Sequence, residues 1–143
     1  MEKPFIDFSS LRSAAVALSS ALLVASKVES QNAGDREFYS YETCRASVIQ
    51  HFEICYELGW KFMRRWLDAC DGEEVDGLSK RALFRLAQEK GLISDVGKWI
   101  QLAYARNRTS HIYDEKIADD VYAMAKESKQ YIDELIAKLE AKT

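Results

Sequence analysis

The chain has 143 residues, 48% of them hydrophobic, with one proline, six glycines and a net charge of −3. That composition supports one domain with a real core and leaves little punctuation for a strand-and-turn protein. A pI near 5.5 argues against a protein that coats nucleic acid non-specifically, while leaving room for a small local basic site.

The first predicted helix runs from about Asp7 to Gln31. Leu11, Ala15, Leu18, Leu22 and Ala25 form its narrow apolar stripe, and Asn32-Ala33-Gly34-Asp35 ends it. The apolar run Ala14 to Ala25 is too short to span a bilayer. Glu2 and Asp7 occupy what would be a basic leader, so the run reads as core rather than as an export signal or membrane segment. A long second helix follows, from about Arg36 to Ala69. Tyr41, Val48, Phe52, Tyr56, Gly59, Met63, Trp66 and Cys70 line one side, and Glu53, Glu57, Lys61, Arg64 and Asp68 another. Glu57 and Lys61 are spaced for an i,i+4 pair. Ile54, Leu58, Trp60 and Phe62 add apolar surface outside the first stripe, as expected of a central helix or one at a dimer interface.

Cys44, Cys55 and Cys70 are odd in number and lack metal-ligand spacing. They read as reduced core thiols and point to a reducing, cytoplasmic setting. Asp71 to Gly77 is an acidic loop. Ser79 is placed to cap a short third helix that Gly91 closes, and a fourth starts near Ser94 or Asp95, turning Trp99, Leu102 and Ala103 inward. A fifth starts near Asp114 with Ile117, Val121, Met124, Tyr131, Leu135 and Leu139 as its buried stripe, fraying from Ile136 to Thr143. The expected fold is all-α, an antiparallel bundle of about five helices in a single domain covering 1–143.

Between the last two helices lies Arg106-Asn107-Arg108-Thr109-Ser110-His111-Ile112-Tyr113. In a straight α-helix, positions five apart diverge by about 140°. Arg106 and His111 therefore converge only if the helix breaks or a second subunit completes the site. Asn107, Thr109 and Ser110 compete locally for backbone hydrogen bonds, which favours a break. A helix-start histidine bonded to a neighbouring carbonyl, and an arginine neutralising a helix C-terminus, are the purely structural alternatives. The other histidine, His51, sits inside the long helix with no motif around it.

This Arg-x4-His-x-Tyr pattern, within Trp99 to Glu115, resembles the active-site motif of the HEPN family of small all-α domains. Phe52-Glu53 and Tyr56-Glu57-Leu58-Gly59-Trp60-Lys61 add a second resemblance. The chain looks most like the nucleotidyltransferase substrate-binding branch, encoded beside minimal nucleotidyltransferases. The resemblance implies a homodimer with two motifs facing across a cleft. It also implies a metal-independent ribonuclease, the toxin half of a toxin–antitoxin pair, leaving 2′,3′-cyclic phosphate ends. His111 would be the acid–base group, Arg106 the phosphate stabiliser and Asn107 an orienting side chain. Tyr113 would be the residue that the partner nucleotidyltransferase modifies with AMP. On the residues alone, Tyr113 equally extends the stripe of the last helix.

Arg108 adds a charge inside the motif, a candidate for substrate binding together with Lys61 and Arg64. The aromatic–basic run Trp60 to Trp66 reads mainly as a solvated salt-bridged face. Leu78-Ser79-Lys80-Arg81 stands where many relatives carry Pro-Arg, so no site residue is assigned to that loop. No nucleotide-binding glycine loop or Gly-Ser element with paired acids is present in the sequence, so no cofactor, bound metal or nucleotidyl transfer by this chain is expected. Three functions compete: the ribonuclease, a non-catalytic subunit that presents a nucleotide or other substrate to the nucleotidyltransferase, and a purely structural helical dimer.

Overall fold

The computed structural model describes residues 5–30 and 38–143. It contains five α-helices and one 3-10 turn, with no strand among the described residues: α1 (Ser9–Glu29), α2 (Phe38–Ala69), α3 (Lys80–Glu89), α4 (Val96–Arg108), η1 (Thr109–His111) and α5 (Glu115–Lys142). The predicted break at Asn32 to Asp35, and the predicted start of the second helix at Arg36, lie outside the described residues.

Four helix starts and one helix end have a local cause. Asp7 Oδ1 accepts a hydrogen bond from Ser9 N at 2.9 Å and so opens α1. Ser79 Oγ accepts from Ala82 N at 3.1 Å, Asp95 Oδ1 from Lys98 N at 3.0 Å and Asp114 Oδ1 from Lys116 N at 2.9 Å. These side chains satisfy amide groups that the first turn of a helix leaves without partners. Gly91 ends the third helix at φ +81°, where Leu92 N returns to Ala87 O at 2.9 Å.

Four helices form the core, and cross-helix contacts give their directions. Phe8 packs edge-on against Phe62 at 5.3 Å between centroids, so α1 and α2 are antiparallel. Tyr122 Oη donates to Glu29 at 2.6 Å and Arg12 meets Glu140 at 2.7 Å, so α5 runs antiparallel to α1 and hence parallel to α2. Lys98 pairs with Glu127 and Arg108 with Asp120, which makes α4 antiparallel to α5. Thus α2 is the central helix, packed on every other α-helix. Its second apolar side is spent in part inside the bundle, through buried Phe62, whereas Ile54 is exposed.

Trp99 is the hub. Fully buried, it packs against Tyr56 at 6.2 Å and Phe84 at 5.7 Å between ring centroids. Gly59 lets it approach: a Cβ there would lie 3.3 Å from the indole and 3.4 Å from Leu135. Any side chain at 59 would push α4 and α5 away from α2.

Three expectations need correcting. The C-terminal segment does not fray. Helix α5 continues to Lys142 because Leu139 is fully buried and Glu140 is tied to Arg12. The Glu57–Lys61 pair is absent, since Glu57 turns to Arg106 and Trp60 instead. Tyr113 does not extend the buried stripe of α5; it lies before the Asp114 cap and is 83% exposed. Among the cysteines, Cys55 is buried and burial pushes its thiol pKa up to about 12, which makes it an unreactive core hydrophobe; Cys44 and Cys70 are half-buried. Helix α1 is long and apolar enough by composition to cross a membrane, but Leu11, Ala15, Leu18, Ala21 and Ala25 bury one side of it against the bundle.

Candidate functional site

The helix carrying Arg106 ends just after it. Thr109 Oγ1 donates to Arg106 O at 2.8 Å, and Ser110 Oγ reaches Asn107 O at 3.4 Å. These back-bonds occupy carbonyls at the end of α4, and the chain tightens into the η1 turn. Asp114 N then bonds His111 O at 3.1 Å, and Asp114 caps α5. The break expected from Asn107, Thr109 and Ser110 is therefore present.

Within this turn the residues take different directions. His111 is exposed, and its Nδ1 lies 3.5 Å from the Tyr113 hydroxyl, with the two rings edge-to-face at 6.0 Å. Ile112 between them packs toward the core. Tyr113 borders a depression of about 330 Å³ shared with Arg45, Glu42 and Ile112.

Arg106 faces α2. Its Nη1 donates to Thr109 Oγ1 at 3.0 Å and lies 3.7 Å from Glu53, while its Nε lies 3.2 Å from Glu57 Oε1. The Nε is buried and not aligned for a true hydrogen bond to that carboxylate. The guanidinium is thus anchored along one edge by two half-buried acids, and the side chain stays 33% exposed. The exposed edge thus presents a positioned guanidinium whose charge is partly compensated. Asn107 is exposed beside it. His111 and Tyr113 are brought together, while Arg106 is held by α2 at the same end of the bundle and shares no hydrogen bond with either among the described residues.

The remaining candidates are not gathered there. Positions 106 and 108 diverge by about 160° on a helix, and Arg108 accordingly faces α5. It pairs with Asp120 at 3.5 Å and lies over the Tyr104 ring at 5.3 Å. Lys61 and Arg64 line a separate cavity beside Trp60, with Arg64 paired to Asp76 at 3.1 Å. His51 is half-buried in an apolar groove between α1 and α2.

One residue central to the site's position was missed by sequence reasoning. Arg45 is 6% exposed and grips α5 by its first turn: Nη1 and Nη2 reach the two oxygens of Glu115 at 3.0 and 3.1 Å, and Nη1 also reaches Asp119 at 2.8 Å. Glu42 lies 3.9 Å away. This clamp fixes the start of α5, and so the end of the His111–Tyr113 turn, to α2. The signal was present, because position 45 falls four after Tyr41 and three before Val48, in the register of the buried stripe. An arginine in that register needs carboxylates.

Hydrogen bonds from Arg45 hold the Glu115 carboxyl below its ordinary value of 4.5. Glu115 therefore binds its proton more weakly folded than unfolded, so the clamp stabilises fully above about pH 4.5 and is lost as pH falls through the lowered value. An Arg45→Met protein is expected to melt several degrees below wild type at neutral pH, with the gap closing under acid. Equal melting temperatures at pH 7 would show that the clamp holds nothing.

With this geometry in view, three similarities stand out. A protein called probable ribonuclease HepT, from Haemophilus influenzae, is 40% identical over 84 residues, which span 57% of this chain and 58% of that relative's length. A solved Haemophilus influenzae structure, described as revealing the fold of a substrate-binding domain of a nucleotidyltransferase, superposes with a TM-score of 0.82. Its sequence is 29% identical, and the match covers 94% of this chain and 99% of that one. A Thermus thermophilus structure shares the fold alone, at TM-score 0.66 and 24% identity over 88% of this chain and 98% of its own. The family described as nucleotidyltransferase substrate binding protein like matches residues 6–141, nearly the whole chain and all five helices, and the protein belongs to that family.

Proposed function

We propose that this protein is a metal-independent endoribonuclease acting as the toxin half of a pair with a separately encoded minimal nucleotidyltransferase. The observation that carries the reading is the η1 break, which takes His111 out of α4 and leaves its imidazole exposed at the bundle end where Arg106 is held. In this reading His111 takes the proton from a ribose 2′-hydroxyl, or returns one to the leaving 5′-oxygen. The 2′-oxygen attacks the adjacent phosphorus, the bond to the 5′-oxygen breaks, and a 2′,3′-cyclic phosphate remains. The exposed edge of Arg106 faces the charge growing on the phosphoryl oxygens. Asn107 orients the substrate strand. A homodimer supplies a second motif across the cleft, so that each Arg106 works with a partner copy's groups, and the pair operates in the cytoplasm. The 40% identity to a probable ribonuclease supports the reaction class.

Tyr113 serves as the regulatory residue. Its hydroxyl is exposed beside His111 rather than beside Arg106. Attack of its hydroxyl on the α-phosphorus of ATP, with loss of the phenolic proton and release of pyrophosphate, would set a phosphodiester charge against the imidazole and cover it. Incubation with the cognate nucleotidyltransferase and ATP is expected to add the mass of AMP to wild type and none to Tyr113→Phe. An unmodified wild-type chain would remove this role.

A second reading is favoured by the carboxylates on Arg106. Glu53 and Glu57 already compensate its charge, as suits a subunit that holds a nucleotide for the nucleotidyltransferase without cleaving it. The structural neighbour described as a substrate-binding domain supports it equally. The deciding experiment is wild-type cleavage of total tRNA and mRNA with EDTA present, followed by analysis of product ends. Cyclic phosphate ends made by wild type and not by His111→Ala establish the ribonuclease; intact RNA with a folded dimer excludes it and turns the search to a substrate presented to the nucleotidyltransferase.

A further inference from the structure

An open cavity of about 390 Å³ lies beside Trp60, where the C-terminal part of α2 meets the segment leading to α3. Of the three tryptophans, Trp66 and Trp99 are buried, and Trp60 alone is half-exposed. Lys61, Arg64 and Arg65 line the cavity, and Lys80 holds its Nζ 4.2 Å over the Trp60 ring. Against these four cations stand Asp68 and Asp76 in the cavity wall, Glu57 on the indole N–H, and Asp7, which feels the charge of Arg65, in a chain whose net charge is −3. Arg64 is paired to Asp76, with both side chains largely exposed, so an incoming anion can exchange with that carboxylate. Lys61, Arg65 and Lys80 have no carboxylate at ion-pair distance among the described residues. Of the salt-bridged face expected from the sequence, the structure keeps the Arg64–Asp76 pair and leaves Lys61, Arg65 and Lys80 around a half-exposed indole.

The cavity is also tied to the motif. Glu57 Oε2 accepts the Trp60 indole N–H at 3.0 Å, while its Oε1 lies 3.2 Å from Arg106 Nε. One carboxylate therefore sets both the plane of the indole and the position of the arginine.

We propose that this cavity is a nucleotide subsite for single-stranded RNA, lying along the strand from the phosphate held at Arg106. A base stacks on the Trp60 ring and displaces the Lys80 ammonium onto a flanking phosphate, where Lys61, Arg64 and Arg65 also reach. The inference rests on the reading that RNA is the substrate and adds where the strand is held. An acidic protein surface would satisfy the cations but has no use for the accessible ring, and the coupling through Glu57 serves a ligand that engages both ends.

The test uses wild-type protein and a fluorescein-labelled 2′-O-methyl RNA of about ten nucleotides, which lacks the free 2′-hydroxyl needed for cleavage. Anisotropy reports binding, and an unlabelled copy reports on tryptophan emission. Saturable quenching of tryptophan is expected, with quenching absent in Trp60→Phe. The Arg64→Glu/Arg65→Glu protein is expected to bind at least about ten-fold more weakly and with a shallower salt dependence. Its circular dichroism and melting curve report whether it is folded, and the wild-type quenching stands independently of it. Binding with unchanged tryptophan emission overturns the subsite. So does charge reversal that releases the nucleotidyltransferase but not the RNA. The RNA reading itself fails separately, if wild type neither cleaves ordinary RNA in EDTA nor binds the oligonucleotide.

Discussion

His111→Ala is expected to lose about a hundred- to ten-thousand-fold in metal-free RNA cleavage, the usual worth of a positioned acid–base group, without a change in melting temperature. The separation follows from where the residue sits. His111 is exposed in a three-residue turn, and its side chain meets Tyr113. No core contact is lost on truncation, and Asp114 still caps α5. Binding of a non-cleavable oligonucleotide should survive, because the proposed subsite at Trp60 and its cations lie elsewhere. A His111→Ala protein that cleaves at the wild-type rate would remove the histidine from the mechanism, and one that fails to fold would make it structural. A related expectation concerns Arg106. Its removal strips the cation from between Glu53 and Glu57, so Arg106→Ala should weaken RNA binding as well as turnover.

The largest effect on stability should come from Trp99→Ala. The side chain is fully buried between Tyr56, Phe84 and Gly59, and it joins α4 to α2 and α3. Truncating a buried aromatic residue costs about 3–5 kcal/mol, a large part of the total for a domain of this size. Trp99→Phe is the informative companion. The Trp99 Nε1 is buried with no hydrogen-bond partner among the described residues, so phenylalanine removes an unsatisfied donor while keeping most of the apolar contact. Chemical denaturation should place Trp99→Phe well above Trp99→Ala. Equal losses would mean that ring size, rather than simple filling of the space, governs the site.

What was legible in the sequence divides by the range of the forces involved. Helix starts at Ser79, Asp95 and Asp114 and the stop at Gly91 were readable because a cap acts within a few residues of itself. The break after Arg106 was readable for the same reason, since Thr109 and Ser110 bond carbonyls three residues back. The apolar stripe of α2 identified core residues, with Val48, Phe52, Tyr56 and Met63 all buried. On α5, by contrast, the predicted Ile117, Met124 and Tyr131 are only half-buried, and Ala118, Tyr122, Ala125 and Ile132 fill the core beside Val121, Leu135 and Leu139. The fraying expected after Ile136 failed because burial of Leu139 and the Arg12–Glu140 pair depend on a helix more than a hundred residues away. Charge partners were the weakest point. Sequence spacing paired Glu57 with Lys61, but helix packing brought Arg106 to Glu57, and an intrahelical pair worth a few tenths of a kcal/mol gives way readily to such a neighbour.

By itself, then, the sequence determined an all-helical bundle with a polar turn between its last two helices, because periodicity and caps are local properties of the chain. Only the tertiary structure decided what that turn can do. Packing of α4 and α5 on α2 gives Arg106 its two carboxylates, sends Arg108 to the opposite side, and locks the start of α5 through Arg45. The partners in these ion pairs lie between 12 and 74 residues apart, and no local rule ranks such partners. The choice among them is made when the apolar faces close and bring particular charges within about 4 Å in a medium less polar than water.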